Sequence, residues 1–343
     1  MHDLAIIVVS TNEAHWLRPC LSSVFDHLGD ISADVVVVDN DSRDGTADLV
    51  ADEFPGARVV WSANHGFCHA NNRAIMTCNA RYVLLLNPDT EIAEGTFAEL
   101  VRMMDARPTV GLAGVRQLTG EGELVETIRL FPNALHALGD ALSAERLSRR
   151  PRWLGERVTD PAAYDREYDC DWTTGAFMFV RREAIESAGM LDERFFMYSD
   201  EADFCRRIKT AGWQVRHLPR MTIVHHAFKD GVKPSVDCLI AHSRMKYARK
   251  HFSPAHRTAF GTAVMLRHAL RSVYAGRGET GRLKRSANRR VVATLLGRAP
   301  VPHADRTSPV AVMTADAELR QSQLLARDAG AHRTPRRLRS SAR

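Results

Sequence analysis

The sequence alternates short, continuously apolar runs with stretches of helical periodicity, and this alternation allows few folds. The apolar runs lie at residues 4–9, 35–38, 59–61, 82–86 and 110–115. Their β-branched residues are typical of strands buried on both faces. Between them, apolar residues recur every three or four positions, which indicates helices, and Thr96 and Glu99 have the spacing of a capping box at the start of one helix. Strand and helix in strict alternation predict an α/β fold with a doubly wound, mostly parallel sheet and flanking helices.

Composition limits the class of protein further. The chain has 343 residues, is 45% hydrophobic and can bury a large core. No stretch reaches the roughly 18 apolar residues that a membrane-spanning helix needs, and the first apolar run is too short for a signal peptide. We therefore expect a cytoplasmic protein. The six cysteines are scattered without a Cys-x-x-Cys pair, which argues against a disulfide framework or a thiolate zinc site.

Charge is distributed unevenly along the chain. Residues 244–343 hold 22 Lys and Arg against 5 Asp and Glu, a balance of +17, so the rest carries 6 − 17 = −11. Such a basic region could meet anionic lipid, nucleic acid or no partner. Ala263, Leu266, Leu270 and Val273 predict an amphipathic helix that lies on a membrane. A solvated helix packed on the main domain is the alternative.

Polar residues follow two of the apolar runs directly. Asp39 comes after four valines, and Asn87-Pro88-Asp89 ends the fourth run. In open α/β sheets, ligands bind beyond the carboxyl ends of the strands. Asp89 would there be well placed to hold a divalent metal against a phosphate. Alternatively, the Asn-Pro-Asp turn and the acids around Asp39 only make turns and helix caps.

The third apolar run leads into a possible anion-binding turn. Gly66 follows Asn64 and opens a helix that carries Arg73, which offers backbone N–H groups and a cation to an anionic ligand. An ordinary loop with a solvated helix face is the alternative. The first strand is not followed by G-x-G-x-x-G, which argues against a dinucleotide-dependent dehydrogenase.

A second group of acids lies far along the chain. Asp200, Glu201 and Asp203 open a predicted helix, where helix electrostatics alone would favour acidic residues. The bulky apolar residues Phe195-Phe196-Met197-Tyr198 just before them would desolvate a carboxylate and raise its pKa towards that of a general base. Two further short strands are predicted at residues 213–218 and 222–224. His225 follows the second, either as an ordinary polar terminus or as a second ligand to a metal held by Asp89.

Four segments in this order resemble one family. They are IIVVSTNEAHWLRPCLSSV, VVVVDNDSRDGT, LLLNPDTEI and TTGAFMFVRREAIESAGMLDERFFMYSDEADFCRRIKTAGW. Over residues 3–252 the chain resembles the family 2 glycosyltransferases. It is most similar to the rhamnosyltransferase-like members that build bacterial surface polysaccharides. The resemblance implies a Rossmann-like (GT-A type) fold. It also implies inverting transfer from a nucleotide-sugar donor (dTDP- or UDP-sugar, with dTDP-rhamnose preferred) to a glycan or lipid-linked acceptor.

The resemblance also implies residue roles. Glu201 falls at the general base, with Asp203 as the other candidate, and Asp89 and His225 would hold Mg²⁺ or Mn²⁺. Asn87 departs from the family by replacing the first acid of its Asp-x-Asp motif. The donor-binding residues would be Ser10, Asn12, Asp39, Asn64, Gly66, Arg73, Asn87 and Asp89. The acceptor-binding residues would be Trp172, Gly175 and Asp200.

These expectations divide the chain into three parts. Residues 1–252 would form the transferase domain, with 119–170 as an acceptor-side insertion. Residues 253–297 would form a basic helical extension that contacts anionic membrane peripherally, and 298–343 a disordered tail. A sugar-1-phosphate nucleotidyltransferase would carry a glycine-rich basic loop after the first strand, and residues 10–16 contain none. A nucleic-acid-binding protein is also not expected, because the arginines lack interleaved aromatic residues.

Overall fold

The protein is described here from a computed structural model, which describes residues 1–142, 152–226, 234–276 and 278–301. Its strands are β1 His2–Ser10, β2 Ala33–Asn40, β3 Ala57–Ser62, β4 Ala80–Leu86, β5 Thr90–Glu94, β6 Val110–Thr119, β7 Tyr168–Asp169, β8 Phe177–Arg181 and β9 Gln214–His225. Its helices are α1 Ala14–Asp26, α2 Thr46–Glu53, α3 Phe67–Thr77, α4 Phe97–Asp105, α5 Ala134–Ala141, α6 Arg182–Ala188, α7 Asp200–Thr210, α8 Pro234–His251, α9 Pro254–Val273 and α10 Gly278–Leu295.

The described strands form one mixed sheet. The order is β3-β2-β1-β4-β8-β6-β9-β5, with β7 paired to β9. The first four strands are parallel, whereas β8 runs antiparallel to both of its neighbours. The expected Rossmann-like sheet with flanking helices is therefore confirmed. Because β1 to β4 are parallel, the loops that follow them meet at one edge of the sheet.

Each face of the sheet has its own apolar core. On one face, alternate residues of β1, β2 and β4 pack with α3, α6 and α7. On the other face, the intervening residues pack with α1, α2 and α4. This alternation follows from the two-residue period of a strand, and it explains why the runs are apolar at every position. Helix α4 begins at the predicted capping box of Thr96 and Glu99.

The structure differs from the sequence prediction in two strands. The five residues of β5 were not predicted, and they pair antiparallel with β9. The two short strands predicted at residues 213–218 and 222–224 are one strand, β9. Pro219 does not interrupt it, because the register with β6 shifts between Leu218 and Thr222 and leaves a bulge there.

The C-terminal helices form a third apolar cluster. Buried residues of α8, α9 and α10 pack together with α5, which belongs to the predicted insertion. In α9 the buried residues include Phe260 and Val264, whereas Leu266 and Val273 of the predicted apolar stripe are exposed. No helix in the described ranges is long and apolar enough to cross a membrane. The division of the chain into three parts stays a prediction, and residues 302–343 of the predicted tail lie outside the described residues.

Candidate active site

The loops after β1, β2 and β3 are tied together by hydrogen bonds. Ser10 and Asp39 are register partners at the ends of β1 and β2, and both are buried. The Asn12 side chain accepts a bond from Arg43 N at 2.7 Å. Asn40 Nδ2 donates to Asn64 Oδ1 at 3.2 Å. Four predicted donor-site residues, Ser10, Asn12, Asp39 and Asn64, thus lie along one edge of the sheet.

The carboxylates after β2 differ in their surroundings. Asp39 Oδ1 accepts a bond from Ser42 N at 2.8 Å and caps the turn. Asp44 accepts bonds from Thr46 and, across the loops, from Ala14 N at 2.9 Å. These bonds outweigh the effect of burial and lower the pKa of Asp44. The N-cap of α2 is Gly45, without a side-chain cap, so Asp44 joins the loops instead of capping the helix, while Asp39 remains at the buried edge beside Ser10.

Gly66 brings helix α3 against the segment that precedes α7. Its φ is +105°, and a Cβ atom there would stand 2.8 Å from the Cα atom of Phe196 and closer still to its carbonyl oxygen. The next residue, Phe67, donates its N–H to that carbonyl oxygen at 2.8 Å. Only glycine fits a positive φ and so close a backbone approach. Arg73 lies two turns further along α3 and is partly buried.

The same contact is reinforced by Glu193. This carboxylate is bonded to His69 Nδ1 at 3.0 Å and accepts a bond from Asn72 Nδ2 at 2.8 Å. Those bonds, led by the one to His69, lower the pKa of Glu193. The loop that leads to Asp200 and Glu201 is therefore held against α3 both at Phe196 and at Glu193.

Asp89 and His225 lie side by side, as the sequence predicted for a metal-binding pair. Asp89 Oδ1 is 3.3 Å from His225 Nε2, and both side chains are nearly buried. The backbone fixes this proximity, because His225 pairs with Thr90 in the sheet and His226 N donates to Asp89 O at 2.9 Å. His226 points elsewhere: its Nε2 lies 2.7 Å from Glu91 Oε1, and its ring stacks on Trp16.

The ligand atoms of this pair fit a divalent ion whose coordination is completed by a phosphate group. In the described part of the chain, no group of three or more His, Cys, Asp or Glu side chains could hold a metal alone. Asp89 and His225 supply one carboxylate oxygen and one imidazole nitrogen. Mg²⁺ in enzymes is commonly bound through one or two carboxylates plus substrate phosphates, and Mn²⁺ accepts oxygen ligands in the same way.

Asp200 and Glu201 open α7 after two residues, Tyr198 and Ser199, with positive φ. Burial raises the pKa of Asp200 to about 6. Burial, and next the neighbouring Asp200 charge, raise the pKa of Glu201 well above its ordinary value. The two carboxyl groups share a hydrogen bond. A carboxyl group with a raised pKa is a more effective proton acceptor near neutral pH.

Asp203 has a different environment from its neighbours. It is completely buried, and its oxygens lie 2.9 Å from Arg207 Nε, 2.7 Å from Lys250 Nζ and 2.7 Å from His251 Nε2. Burial alone would raise its pKa, but the bonds from His251, Lys250 and Arg207 outweigh burial and lower the pKa. Asp203 therefore joins α7 to α8 as the centre of an ion-pair cluster.

The predicted metal pair and the predicted base lie on adjoining segments. Asn87 N donates to Ala176 O at 3.0 Å, which joins the turn before Asp89 to the start of β8. A Cβ atom on the preceding Gly175 would stand 4.0 Å from the Glu201 Cβ atom. The turn of Asp89 is thus bonded to the start of β8, and Gly175, just before β8, lies near the first turn of α7. Trp172 is buried three residues before Gly175.

Arg129 is a polar residue of this region that the sequence did not indicate. It forms a β-bridge with Trp172, and its guanidinium group lies 5.5 Å from the centre of the Trp172 ring. Its charge acts on Glu201 and opposes the rise in the pKa of that group. The irregular segment at 119–170 offered no periodicity or motif by which to select this arginine.

Comparisons with known proteins place the chain among sugar transferases. A family model described as Glycosyl transferase family 2 matches residues 5–186. The N-acetylglucosaminyl-diphospho-decaprenol L-rhamnosyltransferase of Mycobacterium tuberculosis is 26% identical over 228 residues, which are 62% of this chain and 73% of that protein. Rhamnosyltransferase WbbL of Escherichia coli strain K12 is 22% identical over 235 residues, which are 66% of this chain and 84% of that protein.

A solved structure shares the fold. The crystal structure of GalNAc-T7 with UDP, GalNAc and Mn²⁺ matches with a TM-score of 0.55 at 13% sequence identity. The match covers 88% of this chain and 59% of that chain. At this identity the match shows that the two chains share an architecture.

Proposed function

The chain belongs to glycosyl transferase family 2, and from this we propose that it is an inverting, metal-dependent transferase that uses a nucleotide-sugar donor. We further propose dTDP-rhamnose as the donor and a hydroxyl group of a lipid-linked or polysaccharide acceptor as the target. The names of the two rhamnosyltransferase relatives support this choice of sugar. The diphospho-decaprenol acceptor named for the first relative supports a lipid-linked acceptor.

One observation carries this proposal. The Asp89–His225 pair and the start of α7 lie on adjoining segments. Asn87 is bonded to Ala176, and the preceding Gly175 lies near Glu201. A displacement needs a cation at the leaving diphosphate and a base at the attacking hydroxyl, on opposite sides of one sugar. An arrangement with both groups around a shared edge supports this chemistry.

In the proposed mechanism, the edge formed by Ser10, Asn12, Asp39 and Asn64 binds the nucleoside. Gly66, just before α3, and Arg73, two turns along that helix, would contact the donor phosphates. Asp89 and His225 would hold Mg²⁺ or Mn²⁺, with Asn87 in the same turn. When bound, such an ion neutralises the negative charge that develops on the departing nucleoside diphosphate.

Glu201 takes the proton from the acceptor hydroxyl as its oxygen forms a bond to the anomeric carbon. The bond from that carbon to the diphosphate breaks, and the configuration inverts because one displacement occurs. Trp172 and Gly175 border the position of the acceptor sugar, and Asp200 supports Glu201 through their shared hydrogen bond. Glu201 is preferred to Asp203 because Arg207, Lys250 and His251 already occupy the oxygens of the completely buried Asp203.

A donor panel tests the proposal. Thermal unfolding is measured with dTDP-rhamnose and with UDP-, GDP- and dTDP-hexoses, each with and without Mn²⁺, since a bound ligand raises apparent stability. We expect one donor to stabilise the protein only with the metal and to release nucleoside diphosphate when an acceptor is added. Release of pyrophosphate from a sugar 1-phosphate and a nucleoside triphosphate would instead indicate the nucleotidyltransferase alternative.

Membrane contact is a separate part of the proposal. The basic region of residues 244–343 and the exposed Leu266 and Val273 of α9 are compatible with peripheral binding to anionic lipid. Sedimentation with vesicles that contain anionic or only neutral lipid tests it. Binding to anionic vesicles that weakens with salt is expected, whereas equal binding to both would contradict an electrostatic contact.

A further inference from the structure

Arg129 is a partly buried cation in the described structure. Its Nε atom is buried and has no hydrogen-bond partner there, and the guanidinium group makes no ion pair with a described residue. Desolvation lowers its pKa from the ordinary value. A charged donor group that lacks a partner favours an anion, so the position suits an anionic ligand.

The acid whose charge acts most strongly on Arg129 is bonded to another arginine. Glu156 is buried, and both of its carboxylate oxygens are bonded by Arg244 from α8, one of them at 3.3 Å. Arg157, which bridges to Arg129 through the backbone, pairs with Glu126 at 3.3 Å. Glu156 and Glu126 are therefore each bonded to an arginine other than Arg129.

Arg129 lies beside Trp172, a predicted acceptor-binding residue. It is held there by a backbone hydrogen bond of 3.0 Å and by the approach of its guanidinium group to the Trp172 ring. Three residues after Trp172, Gly175 lies near Glu201. The Arg129 charge opposes the rise in the pKa of Glu201 and so favours the ionised form that a general base requires.

We propose that Arg129 binds a phosphate group attached to the acceptor sugar, and so selects acceptors that carry a phosphodiester or diphosphate linkage. The inference rests on the proposed glycosyltransferase function and names its acceptor class. A planar guanidinium group fixed on an aromatic ring presents two parallel N–H donors, the geometry that phosphate oxygens accept best. The attacking hydroxyl would reach Glu201 while the phosphate on the same sugar reaches Arg129.

The test compares two acceptors that differ in the phosphate alone. One is the acceptor sugar linked through a diphosphate to a short, soluble prenyl chain, and the other is the same sugar as a neutral alkyl glycoside. Wild type is compared with Arg129→Met and Arg129→Lys. Arg157→Met serves as the matched control, since it removes a neighbouring arginine that already has an acidic partner.

We expect Arg129→Met to raise the KM for the diphosphate acceptor about 10- to 100-fold, the loss typical of a hydrogen bond to a charged group. The KM for the neutral acceptor should change less than about twofold, because no phosphate contact is lost. Arg129→Lys should restore part of the difference, and Arg157→Met should treat both acceptors alike. A change in the pKa of Glu201 would affect both acceptors equally, so the ratio of the two KM values isolates the phosphate contact.

Stability gives a second measurement that a purely structural arginine would not reproduce. Removal of a partly buried charge that makes no ion pair should leave the melting temperature unchanged or raised, whereas loss of a structural contact would lower it. Equal losses with both acceptors, or a lowered melting temperature with no acceptor preference, would overturn the inference while leaving the transferase function intact. If wild type transfers sugar to neither acceptor, the proposed function fails and the inference fails with it.

Discussion

Asp89 Oδ1 and His225 Nε2 lie 3.3 Å apart, although the first follows β4 and the second ends β9. The pairing of β5 with β9 produces this proximity, because Thr90 and His225 are register partners. The sheet therefore positions both proposed ligands, His225 as the last residue of β9 and Asp89 in the short turn between β4 and β5.

The first prediction concerns this pair. His225→Ala should weaken Mn²⁺-dependent donor binding by more than about 10-fold, the least that loss of a residue supporting a metal costs. His226→Ala is the matched control, since its ring stacks on Trp16 and bonds to Glu91. Titration of donor against each variant with and without Mn²⁺ measures the effect. Equal donor affinity in His225→Ala and wild type would remove His225 from the site.

The second prediction concerns Gly66. Gly66→Ala forces a side chain into a positive φ and against the backbone of Phe196, and should destabilise the protein by about 2 kcal/mol or more. Gly45→Ala also has a positive φ but open space around it, and should cost about 1 kcal/mol. Urea unfolding of the two variants measures the difference. Equal losses would mean that the contact with Phe196 has no energetic role.

The third prediction separates the two candidate bases. Asp203→Asn leaves Arg207, Lys250 and His251 without their shared acid, and should lower the free energy of unfolding by about 3–5 kcal/mol at neutral pH. The rate per folded molecule should fall far less than in a variant that lacks the base. A stable Asp203→Asn protein that binds donor but has no turnover would make Asp203 the base.

The fourth prediction concerns pH. The pKa of Asp200 is raised to about 6 from an ordinary 3.8, so the folded state binds a proton more tightly than the unfolded state. Its contribution to stability is full below about pH 4 and is lost as the pH rises through about 6. Asp200→Asn cannot ionise, so relative to wild type it should gain up to about 3 kcal/mol between pH 4 and pH 7. Unfolding by urea at both pH values tests this, and a pH-independent difference would contradict the raised pKa.

The sequence predicted the elements whose signal is local. Continuous apolar runs indicated β1, β2 and β4, and the Thr96–Glu99 capping box located the start of α4. Strand β5 escaped prediction because it has five residues, exposes part of its surface and is stabilised by a partner 130 residues away. Its short run has no periodicity of its own to indicate a strand.

The residues of the candidate site could likewise be predicted only where their signal was local. Asp89 and His225 stood at recognisable strand ends, and the structure brings them together. The difference between Glu201 and Asp203 depends on Lys250 and His251, which approach from α8 and have no local relation to α7. Arg129 could be selected only from its Nε atom without a partner and from the ion pair of Glu156 with Arg244. Both follow from tertiary packing alone.

The central claim is that Glu201 is the base of a metal-dependent sugar transfer. The most direct measurement is single-turnover transfer by Glu201→Gln, with donor affinity determined on the same protein. We expect donor binding within about twofold of wild type and a rate lowered about 10²- to 10⁴-fold, the contribution typical of general base catalysis. Normal turnover by Glu201→Gln would show that Glu201 is not the base.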